Sequence, residues 1–211
     1  MANIIPMFPL SIVVFPGEHL NLHIFEPRYK HLVHDCFNND LPFGIIPYLE
    51  GKSLKYGTLI KINQIAKTHT NGELDIRVEG ISWFDVKDFY RVAPGKLYPG
   101  AEIVSNEWDD ETNLVYADRL IGLIEELYKI MGIENVSIQS IIDFRTYQLA
   151  HKVGLNIDQE LELLMIASES DRQLYLIEHL LILLPAVRQA ELIRKRAALN
   201  GHFQNVIPPN F

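Results

Sequence analysis

Residues 19–40 read HLNLHIFEPRYKHLVHDCFNND, and the hydrophobic period changes once within them. From His19 to Phe25 apolar and polar side chains alternate. Leu20, Leu22 and Ile24 fall on one face; His19, Asn21 and His23 fall on the other. A period of two is what a strand buried on one side requires. At Glu26-Pro27 the pattern becomes helical. Glu26 stands at the N-cap, and Pro27 fits the first helical position, where an N–H would have no intrahelical partner. Tyr29, Leu32, Val33, Cys36 and Phe37 then recur at the spacing of one helix face. Asn38-Asn39-Asp40 ends the helix.

Working outward, the rest of the first half has β character. Residues 11–15 are β-branched and aromatic and stop at the tight turn Pro16-Gly17, which predicts a strand. Residues 43–48 and 57–67 follow, with Leu59 and Ile65 in apolar positions of the latter. Asn71-Gly72 predicts a hairpin with a type I′ turn, in which both central residues take positive φ. On the return strand Leu74, Ile76 and Val78 alternate with Asp75, Arg77 and Glu79, so one face is wet. After Gly80, residues 83–92 and 97–108 continue in the same manner. Short antiparallel strands with short turns and one inserted helix predict a small barrel or rolled sheet.

Past Asp109-Asp110-Glu111 the period becomes that of helices. Leu114–Met131 places Leu120, Ile121, Ile124, Leu127 and Tyr128 on one side, and Gly132 stops it. Residues 138–152, ended by Gly154, and 158–167, burying Leu161, Leu164 and Met165, predict two more helices. Ser170-Asp171-Arg172-Gln173 has the spacing of a capping box opening a fourth. Pro185 should kink or break that helix before 186–199 resumes it and Asn200-Gly201 closes it. The expectation is an α+β chain: a β-rich lobe over 1–112, a helical bundle lobe over 113–200 and a tail over 201–211.

Composition narrows the function classes. With 211 residues, 48% apolar and 22% charged, the chain has ordinary globular composition and enough length for a sizeable core. A net charge of −8 disfavours nonspecific binding to nucleic acid or anionic lipid. One cysteine, Cys36, leaves no intramolecular disulfide and fits a reducing compartment. The apolar start lacks a basic leader and is interrupted by Pro6, Pro9 and Pro16, and residues 174–187 are too short and too polar to span a bilayer. A cytoplasmic protein is expected.

Motifs that carry chemistry are scarce in the sequence. None of the 12 glycines begins a phosphate-binding loop, and no G-x-S-x-G or H-E-x-x-H stretch occurs. His19 and His23 share a strand face but lie ~13 Å apart at about 3.3 Å per residue, too far to chelate one ion together. His31 and His34, three apart on a helix, could share a ligand, but Cys36 points roughly 200° away from His34 at about 100° per residue. Cys36 also sits late in its helix, where the dipole disfavours a thiolate, so it is expected to be core. No cofactor and no metal site are expected, and no catalytic residue is assigned.

A positive signal comes from the order of short motifs. Phe8-Pro9-Leu10, Val14-Phe15-Pro16-Gly17 and Leu22-x-Ile24-Phe25-Glu26-Pro27-Arg28-Tyr29 together resemble the opening signature of the Lon N-terminal domain family. Phe43-Gly44-Ile45, Tyr56-Gly57-Thr58, Asn71-Gly72-Glu73-Leu74 and Val78-Glu79-Gly80 agree with it in order. So do Tyr147-Gln148-Leu149-Ala150, Leu161-x-Leu163-Leu164 and Arg172-x-x-x-Leu176. The resemblance implies a module that engages substrate polypeptides and helps assembly, without the ATPase and serine–lysine protease parts. It therefore implies a non-enzymatic chain.

The expected ligands are unfolded or degron-bearing polypeptides, held near Phe25, Arg28 and Tyr29. Tyr48, Trp83, Tyr90, Tyr98 and Trp108 are further surface-capable aromatics. Pro16, Gly17, Glu26, Pro27, Gly57 and Gly80 are expected to shape the fold: Pro16-Gly17 as a turn, Glu26-Pro27 as a helix start. Two alternatives stand beside this one. An oligomerising or adaptor protein would dock on a separate protease or other enzyme, and its sequence basis is the apolar run 174–184 with its basic extension. A metal-assisted enzyme would use His31 and His34.

Overall fold

The structure is a computed structural model and describes residues 4–49, 52–53, 55–133 and 145–202. The chain divides into two compact units, Met1–Asp110 with Tyr147–Ser168, and Glu111–Thr146 with Glu169–Phe211. Residues 147–168, read from sequence with the helical lobe, thus belong to the β-rich unit. In chain order the elements are β1 (Ile4–Leu10), β2 (His19–Ile24), α1 (Pro27–Asn38), β3 (Phe43–Leu49), β4 (Lys52–Ser53), β5 (Tyr56–Thr68), β6 (Leu74–Tyr90), β7 (Gly100–Ser105), α2 (Leu114–Met131), α3 (Ile157–Met165) and α4 (Glu169–His202).

In the first unit the strands run β1-β7-β6-β5-β3-β4, and β1 also pairs with β3, so the sheet closes on itself. The closing pair is parallel, with Met7 opposite Gly44; the sequence reading had every pair antiparallel. β6 is one 17-residue strand with two sets of neighbours. Its first part carries β2, His19 opposite Glu79 and Ile24 opposite Leu74; its second part carries β7. The wet and dry faces of β2 are those the alternation predicts, with Ile24 buried and His19, Asn21 and His23 exposed.

The strand expected over 11–15 is not one. Val13, Val14 and Phe15 are buried, but their backbone is satisfied off the ladder: the Thr58 hydroxyl donates to the Val14 carbonyl, and Phe15 N–H donates to the Glu18 carboxylate at 2.9 Å. The strand lies just before it, in β1, disguised by Pro6 and Pro9, which lack the ladder donor. The hairpin after β5 also differs from expectation. Gly72 has φ +77°, but Asp40 is the sole non-glycine with positive φ among the described residues, so Asn71 does not adopt the type I′ geometry. Gly72 N–H donates to His69 O at 2.9 Å and His69 N–H to Glu73 O at 2.8 Å, the longer loop with glycine in the left-handed position.

α1 begins at Pro27, with Glu26 at its N-cap. Tyr29, Leu32, Val33 and Cys36 are buried against Phe43, Ile45, Ile60, Leu74, Ile76 and Val78, while Phe37 is 42% exposed at the edge of that face. Burying each such aliphatic side chain contributes about 1.5–3 kcal/mol before entropy is counted. Trp83 and Tyr98, expected on the surface, are core residues at 8% and 2% exposure. The Tyr98 hydroxyl donates to Asp35 at 2.6 Å and so ties α1 to the loop before β7.

Of the helix expected over 138–152, residues 138–144 lie outside the described residues; the remainder forms two 3₁₀ turns, Thr146–Gln148 and Ala150–Lys152. α3 opens with a capping box formed by Asn156 and Gln159, unnoticed in the sequence. It buries Leu163 in place of the expected Met165. His151 fastens α3 to the sheet: Nδ1 lies 2.7 Å from Glu160 Oε1, and Nε2 lies 3.3 Å from Glu18 Oε2. The Glu18 contact, then Glu160, pushes the imidazole pKa up to about 9. A pKa raised above its unfolded value adds stability that is fully present below about 6.5 and is lost as pH rises through about 9. Urea midpoints should therefore fall between pH 6 and 9.5 more steeply in the wild type than in His151→Gln. Equal slopes would mean that the two ion pairs do not form.

In the second unit α2 has the predicted limits. The Asn113 side chain accepts from Val115 N–H at 3.0 Å and Tyr116 N–H at 3.2 Å, and Gly132 closes the helix at φ +70°. α4 begins one residue before the expected box, at Glu169, and runs through Pro185 to His202. Proline removes the bond to the carbonyl of Leu181, a residue that is 48% exposed, so that oxygen can be hydrated. The expected capping box is replaced by a buried network. The Glu169 carboxylate accepts from Thr146 N–H, the Thr146 hydroxyl and Arg172 Nε, each at 2.9 Å, and neither charged side chain touches solvent. Of the expected tail, 203–211 lie outside the described residues. Among the described residues no helix is long and apolar enough to cross a membrane.

Candidate functional site

A groove of about 910 Å³ opens in the first unit where β2 passes into α1. Its walls are the end of β1 (Phe8, Pro9, Leu10), residues 23–29, Tyr48 of β3, Lys55, the second part of β6 (Val86, Lys87, Phe89), Arg91 and Pro99. That volume is at the upper end of ligand-sized cavities. Phe25, one residue past the strand, is 60% exposed, and Tyr48 is 43% exposed, so aromatic surface faces solvent here.

Arg28 and Tyr29 form the floor in different ways. Tyr29 is 5% exposed, its ring 4.2 Å from that of Phe8. Arg28 lies over the Tyr29 ring at 4.6 Å and is held there by Glu26, with Nε 2.9 Å and Nη2 2.8 Å from Oε2. Burial pushes the Tyr29 hydroxyl above its ordinary pKa, so it remains a neutral phenol. The groove carries the cations Arg28, Lys55, Lys87 and Arg91 against the single carboxylate Glu26, on a chain of net charge −8. Lys55, Lys87 and Arg91 have no carboxylate partner among the described residues. This basic concentration is not legible in sequence, because its members come from three separate segments: the start of α1, Lys55, and the end of β6 with Arg91.

The motif thus separates into two groups. Phe25, Glu26, Arg28 and Tyr29 meet at the groove; Pro16, Gly17, Gly57 and Gly80 lie away from its lining. Gly17 N–H donates to Gly80 O at 2.8 Å and Gly80 N–H to Glu18 O at 2.9 Å, so the two segments lock together. A Cβ on Gly57 would meet Ile45 O at 2.4 Å.

Two other positions bear on chemistry. Cys36 is 1% exposed, and burial pushes its thiol up to about 12, so it is no nucleophile. His31 and His34 are exposed on α1 and join no cluster of potential metal ligands among the described residues. Such a cluster does occur at His23, His69 and Asp75, whose ligand atoms all lie within 4.8 Å of one another. It needed the register of β2 on β6, which pairs His23 with Asp75 and which alternation alone does not give.

A family model of the ATP-dependent protease La (LON) substrate-binding domain matches residues 4–184. The chain belongs to this family. The match spans every residue that lines the groove. Among solved structures, a Lon N-terminal domain protein from Xanthomonas campestris is similar at 27% identity and a TM-score of 0.64, covering 83% of this chain and 98% of that one. The N-terminal domain of a Mycobacterium avium complex Lon protease shares the fold at 16% identity and a TM-score of 0.60, covering 84% and 98%. No curated protein matches. The matched family model describes a substrate-binding domain, so the chain carries a substrate-recognition module.

Proposed function

We propose that this LON substrate-binding domain holds extended segments of unfolded or degron-bearing polypeptide in the β2–α1 groove. Phe25 and Tyr48 receive apolar side chains, and Arg28, Lys55, Lys87 and Arg91 favour flanking Asp or Glu. The observation that carries this reading is the combination of exposed aromatic surface with Lys55, Lys87 and Arg91, which lack carboxylate partners among the described residues, on a chain that is otherwise acidic. Apolar grooves with a polar rim suit polypeptide ligands, and opposite charge on the rim adds selectivity and association rate.

Fluorescence anisotropy with labelled peptides tests it. A peptide carrying aromatic and acidic residues should bind more tightly than its lysine-substituted counterpart, and added salt should narrow the difference. Phe25→Ala should weaken binding on the order of tenfold, since losing a buried aromatic contact costs about 1.5–3 kcal/mol and tenfold is about 1.4. Equal binding by wild type and Phe25→Ala would move the site elsewhere. A second reading, assembly through α4, is favoured by Leu181, Ile182, Leu192 and Ile193, which are 48–78% exposed. Absence of peptide binding together with a concentration-dependent mass in sedimentation would select it.

A further inference from the structure

At the β5–β6 turn, beside the end of β2, two imidazoles and two carboxylates converge. His23 Nδ1 lies 2.7 Å from Asp75 Oδ1, and His69 Nε2 lies 2.7 Å from the other oxygen, Oδ2. The second nitrogen of His23, Nε2, lies 3.1 Å from Glu73 Oε2. We propose that His23 Nδ1, His69 Nε2 and the Asp75 carboxylate form a binding site for a divalent transition metal of the zinc class, with Glu73 orienting His23. Three features of the fold point this way.

The donor set is the first. Two imidazoles with one carboxylate suit Zn²⁺, Co²⁺ or Ni²⁺, whereas Mg²⁺ and Ca²⁺ take oxygen ligands. Donors bound at 2.0–2.2 Å lie roughly 3–3.5 Å from one another around a tetrahedral ion. The three atoms, all within 4.8 Å, therefore need only small side-chain rotations to reach it.

The second is the support. Metal-ligating histidines characteristically donate their other ring N–H to a carboxylate, which fixes tautomer and ring orientation. Glu73 is placed to do this for His23. The scaffold is stiff as well: His23 and Asp75 are direct cross-strand partners, and His69 N–H donates to Glu73 O at 2.8 Å across the turn.

The third is access. His23 is 49%, Asp75 40% and His69 29% exposed, so an ion can enter and keep water in its remaining positions. A histidine ligand must be deprotonated at the coordinating nitrogen, so affinity should fall as pH drops.

The test is calorimetric titration of ZnCl₂ into the full chain free of any histidine tag, beside His69→Ala, Glu73→Gln and a His31→Ala, His34→Ala variant. Far-UV circular dichroism checks the fold of each. One Zn²⁺ per chain is expected, weakened at least tenfold by His69→Ala and about 10–100-fold by Glu73→Gln. The His31→Ala, His34→Ala variant should be unchanged, MgCl₂ should give no binding isotherm, and Co²⁺ should show a visible spectrum that His69→Ala abolishes. Absence of zinc binding by the wild type overturns the proposal. So does uptake that His69→Ala leaves intact, or uptake lost when His31 and His34 are replaced.

Discussion

Arg172→Met is expected to lower the unfolding free energy by about 3–5 kcal/mol, the usual cost of removing one partner from a fully buried ion pair. The guanidinium and the Glu169 carboxylate are both at 0% exposure, and their attraction offsets a desolvation cost that either charge alone would bear in full. Burial pushes the Glu169 pKa upward, against the opposing pull of Thr146 and Arg172. Arg172→Met removes the cation that faces this carboxylate and leaves the Thr146 bonds in place. Urea denaturation followed by circular dichroism reads the loss directly. Replacing both partners, Arg172→Met with Glu169→Gln, should recover much of it, because no uncompensated charge is left inside. A single variant within about 1 kcal/mol of the wild type would show that water reaches the pair, since exposed ion pairs contribute no more than that. Domains have only about 5–15 kcal/mol in hand, so Arg172→Met should also lower the soluble yield.

Gly80→Ala should cost about 3 kcal/mol, at the upper end for added volume in a packed interior, for a reason unconnected with charge. The new Cβ would stand 2.2 Å from the Phe15 carbonyl oxygen and 3.0 Å from its carbon. Both atoms are backbone, so no side-chain rotation relieves the clash. The same stretch is fixed by the bonds of Gly80 to Gly17 and Glu18, so relief requires breaking the lock between residues 15–18 and β6. Gly122→Ala is the matched control. Nothing lies within 4 Å of its added Cβ, and it sits inside α2, where alanine in place of glycine stabilises by about 0.5–1 kcal/mol. Thermal midpoints should move in opposite directions for the two substitutions. A Gly80→Ala midpoint equal to wild type would mean that the Phe15 segment yields freely.

Periodicity made much of this legible, and its failures share a cause. The alternation of residues 19–25 and the switch at Glu26-Pro27 give β2 and α1 nearly to the residue, because burial of one face is written in every second or every third to fourth position. α2 is read equally well. What periodicity does not contain is which segment lies next door. Pro6 and Pro9 hid β1, whose ladder is completed by β3 on one side and β7 on the other. Trp83 and Tyr98 are of residue types at home both in a core and on a surface, and only the closed sheet decides for the core. Ser170 and Gln173 have the spacing of a cap in one dimension, while the fold starts the helix at Glu169 and turns Arg172 inward onto it. The candidate groove was half legible: Phe25, Arg28 and Tyr29 are neighbours in sequence, but Lys55, Lys87 and Arg91 reach them only through the closure of the sheet.

The place of β1 in that closure also sets an order of events during folding. Ile4 pairs with Glu102 and Met7 with Gly44, so the strand formed from the earliest residues waits for the most distant one. Closing so long a loop adds entropy cost before any contact compensates it, which slows folding relative to a chain of local hairpins. Until then the free edges of β3 and β7 are templates for another chain. Residues 4–10 therefore act as the seal of the barrel, and any handling that delays or blunts them exposes two edges at once.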